Sequence, residues 1–336
     1  MTARRAPVLA ALLVLGLGAA ACGHPSPDAG FAEAPPAVRL EALNAVDVRV
    51  ARVSWTLARA NADLCPVNRR RAGWTLQSAS QYGGELRPLA EARYGLDGDL
   101  PGVLAAPADS PAGEAGLAQG DLILSVNGQP LSRGEAAVES YDGLQANIAV
   151  LDAAAARGPV SLRVRRDGVE REVTIRPVLA CVYPTQVEVT GTLRSRADGR
   201  NIFISDGMVS VAADDDQLAF VLAHELAHAV LEHRTQPDVT GTRGASNWAI
   251  SLRRGLSLSA EADADKAGLF LLTRAGFDPW RSVEFLTSYE EADRGARYAQ
   301  VNSGGVYESA SSRRRALQPV LADIAARRAA NRALIP

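Results

Sequence analysis

Lysine is almost absent from this chain of 336 residues: Lys266 is the only one, so nearly all of the 36 basic side chains are arginine. They are scattered, and 38 acidic residues bring the net charge to −2. No basic stripe emerges, which removes nucleic acid from the partners to consider. Cysteine is sparse too: Cys22, Cys65 and Cys181 show no spacing that suggests a thiolate metal site. Only four histidines occur, His24, His224, His228 and His233, and three of them lie within ten residues. The one long apolar run at the start, Ala6 to Leu17, is too short for a comfortable membrane span. What is present is length enough for two or so domains with substantial cores.

Residues 1–21 read as an export signal: Arg4 and Arg5, the apolar run, then small residues leading to Ala19-Ala20-Ala21-Cys22. Small residues before a cysteine resemble a bacterial lipobox, which implies that Cys22 becomes the acylated first residue and anchors the protein to a membrane. Ala19 stands where a leucine is usual, and the alternative is cleavage after Ala21 to leave a soluble protein. The location expected is the periplasm. Gly23 in place of an aspartate makes the outer membrane the default. Residues 22–37, rich in proline, alanine and glycine, read as a tether. From Val38 to about Asn61, Leu40, Leu43, Val46, Val50, Val53 and Leu57 recur at helical spacing. Residues 38–94 are therefore expected to be a helical segment packing with the C-terminal domain.

Export to an oxidising compartment favours a disulfide between Cys65 and Cys181, the alternative being two buried thiols. Such a bridge would clasp the base of whatever lies between.

That intervening stretch carries Ser110-Pro111-Ala112-Gly113-Glu114-Ala115-Gly116-Leu117, then Gly120-Asp121-Leu122-Ile123-Leu124-Ser125-Val126-Asn127-Gly128. A helix from about Glu135 to Ala156 and a hairpin turning at Asp167-Gly168 are expected to follow. The string resembles a PDZ domain of bacterial envelope proteases over residues 95–178. The resemblance implies binding of an extended peptide, often an exposed C-terminus, at a sheet edge. It would place the carboxylate-receiving loop at Leu100, Pro101, Gly102 and Val103. A groove filled by the protein's own chain is the alternative.

Three short strands are expected next, Thr185 to Arg194, Asn201 to Ser205 and Met208 to Ala212. Met208, Val209 and Ser210 would form an edge strand holding substrate beside the motif that follows.

That motif is His224-Glu225-Leu226-Ala227-His228, preceded by Asp214, Asp215 and Asp216 as helix-capping residues. Histidines four apart share one helix face and can bind one metal ion, with Glu225 beside them as general base. A catalytic zinc commonly has a third protein ligand. His233 lies about 140° around the helix from His228, and the position ten after His224 is Arg234. A carboxylate must supply it. In Ser259-Ala260-Glu261-Ala262-Asp263-Ala264-Asp265, Ser259 can cap a second helix that stops at Gly276. Glu261 and Asp265 then share a face, so that Glu261 ligates and Asp265 orients a histidine ring. An ordinary acidic first turn, complementing the helix dipole, is the bland reading of the same residues.

Together with Ala275-Gly276-Phe277-Asp278-Pro279, Asn201 and Gly207, these two helices resemble metallopeptidase family 48 over about residues 185–325. The resemblance implies a mainly helical zincin-type peptidase domain (residues 179–336) with a small sheet, binding one Zn2+ per chain. With the PDZ domain inserted ahead of it, the fold class is α+β. The substrates implied are proteins or peptides. A late histidine found in the family is missing from Tyr307-Glu308-Ser309-Ala310-Ser311-Ser312-Arg313, where Tyr307 is a candidate oxyanion donor and otherwise a core residue. That departure keeps open a PDZ-centred adaptor or chaperone with a weakly active zinc domain. The Gly- and Thr-containing stretch 240–244, within the interval 234–257, is a candidate lid.

Overall fold

The computed structural model describes residues 34–232, 258–299 and 309–336. The export signal, Cys22, His233, the candidate lid and Tyr307 lie outside the described residues. Among those described, no helix is long and apolar enough to cross a membrane.

Helix α1 (Pro36–Ala60) opens with proline at its first position, where the missing N–H costs nothing. Then come β1 (Asn68–Arg71), β2 (Thr75–Gln77), α2 (Leu86–Tyr94) and β3 (Gly102–Ala105). The short α3 (Pro111–Glu114), β4 (Leu122–Val126), β5 (Gln129–Pro130) and α4 (Asp142–Arg157) lead to β6 (Val160–Arg166), β7 (Val169–Ile175) and β8 (Val178–Cys181). The last third holds β9 (Thr185–Glu188), β10 (Ser195–Ala197), β11 (Ile202–Ser205), α5 (Asp206–Val211) and α6 (Asp215–Val230). It ends with α7 (Leu258–Arg274), α8 (Pro279–Ser282), α9 (Phe285–Ala299) and α10 (Ala310–Ala329). The class is α+β.

The middle unit is a sheet in the order β2-β3-β4-β6-β7, with β5 paired to β4. Asn127-Gly128 and Asp167-Gly168 all take positive φ, the conformation a two-residue hairpin turn requires. Val103, Leu122, Ile123, Leu162, Val164 and Ile175 fill its core with Leu151 of α4. The sheet reaches back to Thr75–Gln77, ahead of the expected start at residue 95. Helix α4 begins at Asp142 rather than near Glu135, because the preceding backbone is engaged elsewhere: the carbonyls of Arg133 and Gly134 accept from the Asp99 amide, and that of Ala136 from Arg87.

The expected carboxylate loop is corrected here. Leu100, Pro101, Gly102 and Val103 are all buried, and β3 has β2 on one side and β4 on the other. The Val103 amide donates to Asp121 at 2.7 Å and the Pro101 carbonyl accepts from Ile123 at 2.8 Å. With its backbone groups already paired, this stretch cannot accept an added strand; the sheet's outer strands are β2 and β7.

The chain enters this unit through β1 and leaves through β8, which pair antiparallel with Asn68 opposite Cys181. The expected disulfide Cys65–Cys181 is present at the foot of that ribbon. Helix α1 ties the two halves together. Its Val50, Val53, Trp55 and Leu57 join the core of the last third, while Val48 and Ala51 pack on Leu104 and Ala105 of the middle sheet.

In the last third, β10, β11 and β9 form a three-stranded sheet in that order, with β9 parallel and β10 antiparallel to β11. Met208, Val209 and Ser210 are not an edge strand: they lie in α5. The valines suit a strand, but Ser205 caps a helix by accepting from the Met208 amide at 3.2 Å. Gly207 also sits where a Cβ would meet the Gly191 and Thr192 carbonyls at 2.5 Å. Met208 and Val209 instead fill the core. The strand at the edge beside α6 is β10.

Two outcomes follow. The disulfide closes a sequence separation of 116 residues, and loop-closure entropy puts its contribution at about 4–5 kcal/mol. Replacing both cysteines by serine should lower the melting temperature by about 10 °C or more; an unchanged value would show that packing alone holds the base. Second, burial pushes the Asp47 carboxyl up to about 7. The unfolded chain loses this proton near pH ~4, so the folded state holds more protons between about pH 4 and 7 and stability falls as pH rises through that window. Asp47→Asn should therefore raise the melting temperature at pH 8 and change it little at pH 4, as thermal scans at the two pH values would read.

Candidate metal centre

The site is built from the start of α6. Asp214 caps that helix by accepting from the Gln217 amide at 3.0 Å, and Asp215 and Asp216 occupy its first turn. Arg49 of α1 binds Asp215 at 3.0 Å, and Arg281 binds Asp216 at 3.3 Å, so the helix start is held from two sides. The following run is buried nearly throughout. It carries His224, Glu225 and His228 into the interior at 8%, 3% and 5% exposure.

Three ligand atoms converge there. His224 Nε2 and His228 Nε2 stand 3.1 Å apart, and Glu261 Oε2 of α7 lies 3.2 Å from the first and 3.7 Å from the second. A tetrahedral ion with bonds of about 2.0–2.2 Å sets its ligands about 3.3–3.6 Å apart. The observed spacings bracket that range, so the donor set fits a single cation. Among the described residues these three are the one group of histidine and acidic side chains so arranged. Helix α7 approaches this closely because residue 268 is glycine: a Cβ there would stand 3.1 Å from the His224 nitrogen.

Behind the ligands lies a relay that fixes the His224 ring. His224 Nδ1 donates to Asp265 Oδ1 at 2.9 Å, which leaves Nε2 facing Glu261. Asp265 is in turn gripped by Arg313 of α10, whose Nε donates to Oδ2 at 2.8 Å and Nη2 to Oδ1 at 2.6 Å. Burial opposes charge on all of these groups, yet their partners prevail. Asp265 is lowered to about 2 by the Arg313 charge and the His224 hydrogen bond. Glu261 is held well below the carboxylate range by both histidines. His224 is raised to about 10 by hydrogen bonds to Asp265 and Glu261. The pocket is thus one that attracts positive charge.

Glu225, on the same helix, faces β10. Its Oε1 accepts a hydrogen bond from Ser195 Oγ at 2.7 Å, with both residues buried. The structure therefore brings His224, Glu225, His228, Glu261 and Asp265 together. Asp263 points away and pairs with Lys266 at 3.3 Å. Ser259 falls in the first turn of α7, and Gly276 follows that helix with φ +91°. Arg313 and Ser195 are the residues that pattern reading missed. Arg313 ends the stretch Tyr307–Arg313 singled out for its missing histidine, yet that reading gave it no role, and Ser195 carries no motif at all.

Residues 194–246 match the model of Peptidase family M48, and residues 102–166 that of the PDZ domain. The mitochondrial metalloendopeptidase OMA1 of Saccharomyces cerevisiae is 30% identical over 128 residues, 32% of this chain and 35% of that protein. The Bos taurus metalloendopeptidase OMA1 is 31% identical over 121 residues, 26% of this chain and 23% of that protein. The chain thus spans about a third or less of the curated relatives it matches. A crystal structure of the HtrA3 PDZ domain bound to a phage-derived ligand is 23% identical, covering 34% of this chain and 89% of that chain at a TM-score of 0.24. Residues 194–246 are thus similar to Peptidase family M48 and residues 102–166 to the PDZ domain.

If Arg313 and Asp265 hold the His224 ring, Arg313→Ala should weaken zinc binding by about 10-fold or more, measured by competition with a chromophoric chelator. Asp263→Asn, on the outward side of α7, should leave it unchanged.

Proposed function

From a chain that carries an M48 segment and a PDZ domain, we propose a zinc-dependent endopeptidase of the bacterial cell envelope, with Glu225 as general base. The observation that carries this reading is the convergence of His224, His228 and Glu261 with Glu225 beside them and a sheet edge alongside. Two imidazole nitrogens and one carboxylate oxygen are a donor set suited to catalytic zinc. Such an ion, when bound, polarises the scissile carbonyl and lowers the pKa of water toward about 7.

The remaining steps belong to the protein. Strand β10 offers its outer edge to an extended substrate backbone, the mode by which sheets take up peptides. Glu225 takes a proton from the attacking water and passes it to the leaving amine, the two roles of one carboxylate in general acid–base catalysis. His224, His228 and Glu261 hold the ion, and Asp265 with Arg313 keeps the His224 ring in one tautomer.

The PDZ domain would recruit or gate substrate. Strand β2, outermost in the middle sheet, is the edge available to a peptide, in place of the interior segment Leu100–Val103. The cell-envelope assignment is supported by the signal-like residues 1–21 and by the disulfide, a bond that persists in oxidising compartments. Anchoring through an acylated Cys22 belongs to the same reading.

Glu225→Gln should retain bound zinc while cleavage of a labelled casein falls by about 100-fold or more. Full cleavage by this variant would remove Glu225 from the role. Zinc binding by the wild type without cleavage of any unfolded protein would favour an adaptor or chaperone instead.

A further inference from the structure

The strand beside the metal helix does more than border it. Ser195 is the first residue of β10 and is 7% exposed. Its backbone is anchored in the sheet opposite Ile204, and its hydroxyl reaches Glu225 Oε1 at 2.7 Å. Glu225 is 3% exposed, and among the described residues Ser195 Oγ is the hydrogen-bond donor to its carboxylate. Without that donor a carboxylate at the end of a glutamate side chain has a broad terminal torsion and no fixed orientation.

We propose that Ser195 is a positioning residue for Glu225, holding Oε1 so that Oε2 is the oxygen presented to the reacting water. This deepens the peptidase reading and rests on it. The consequence is particular to β10: the strand whose outer edge would hold the substrate backbone also carries, on its inner face, the hydroxyl that orients the base. Substrate alignment and base alignment are then set by one short, rigid element. A carboxylate takes part in proton transfer only from an aligned position, so the hydroxyl acts on turnover and leaves substrate affinity alone.

The two roles of the strand separate in kinetics. Threonine and valine have nearly the same shape and differ by the hydroxyl, so Ser195→Thr and Ser195→Val place the same bulk at the site. With zinc content and melting temperature measured for each, cleavage of a fluorogenic peptide should give a kcat for Ser195→Thr about 10-fold or more above that for Ser195→Val, at similar KM. Ser195→Ala should likewise lower kcat with zinc retained. Equal kcat in the threonine and valine variants would overturn the proposal, as would a change confined to KM, which would leave β10 a substrate strand only. Glu225→Gln assayed alongside distinguishes the failures. If that variant keeps its activity, the base assignment itself fails and this inference falls with it. If it is inactive while the Ser195 pair is equal, only the positioning role is lost.

Discussion

The close approach of α6 and α7 at Gly268 is the contact on which the centre depends. A side chain there would press on the His224 backbone and move α7 outward. Glu261 and Asp265 lie about two turns and one turn, respectively, before Gly268 on the same helix, so such a shift would withdraw both from His224. The two histidines would then face each other with no carboxylate between them. The hydrogen-bond relay from Arg313 through Asp265 to His224 works only at this separation. The helices are packed by Leu222, Ala223, Ala227, Leu269, Leu271 and Leu272, and the small residues among them permit the approach that the site needs.

The middle sheet is held to this core by two independent devices. The β1–β8 ribbon with its disulfide fixes the point of insertion, while α1 lies across both hydrophobic cores. Asn61, just past α1, adds a polar tie: its side chain donates to the Leu57 carbonyl at 2.9 Å and to the Leu271 carbonyl at 3.0 Å. Arg274 closes the tie by donating to Asn61 Oδ1 at 3.0 Å. The end of the metal-bearing helix pair is therefore bonded to the element that also touches the middle sheet. A path of direct contacts connects the two units.

Much of this could be read in the sequence, for reasons that differ by element. The metal helices were legible because histidines and carboxylates spaced by four residues carry both periodicity and chemistry. The PDZ hairpins were legible because Asn-Gly and Asp-Gly specify their turns. Met208–Ser210 was misread because valine favours strands, whereas the outcome was decided by the Ser205 cap and the tight packing at Gly207. Leu100–Val103 was misplaced because strand order is set by long-range pairing: that β2 starts the sheet from before α2 cannot be seen in local spacing. The roles of Ser195 and Arg313 were hidden for a related reason. Their partners are 30 and 48 residues away, and only the fold brings them together.

The central claim is that one metal ion is held by two imidazoles and one carboxylate. X-ray absorption at the zinc edge on the purified full chain tests it most directly. The expected spectrum shows nitrogen and oxygen ligands at about 2.0–2.2 Å, the outer-shell signature of two imidazole rings, and loss of one ring's signature in His228→Ala. A shell containing sulfur at about 2.3 Å, or one of oxygens alone without imidazole, would contradict it.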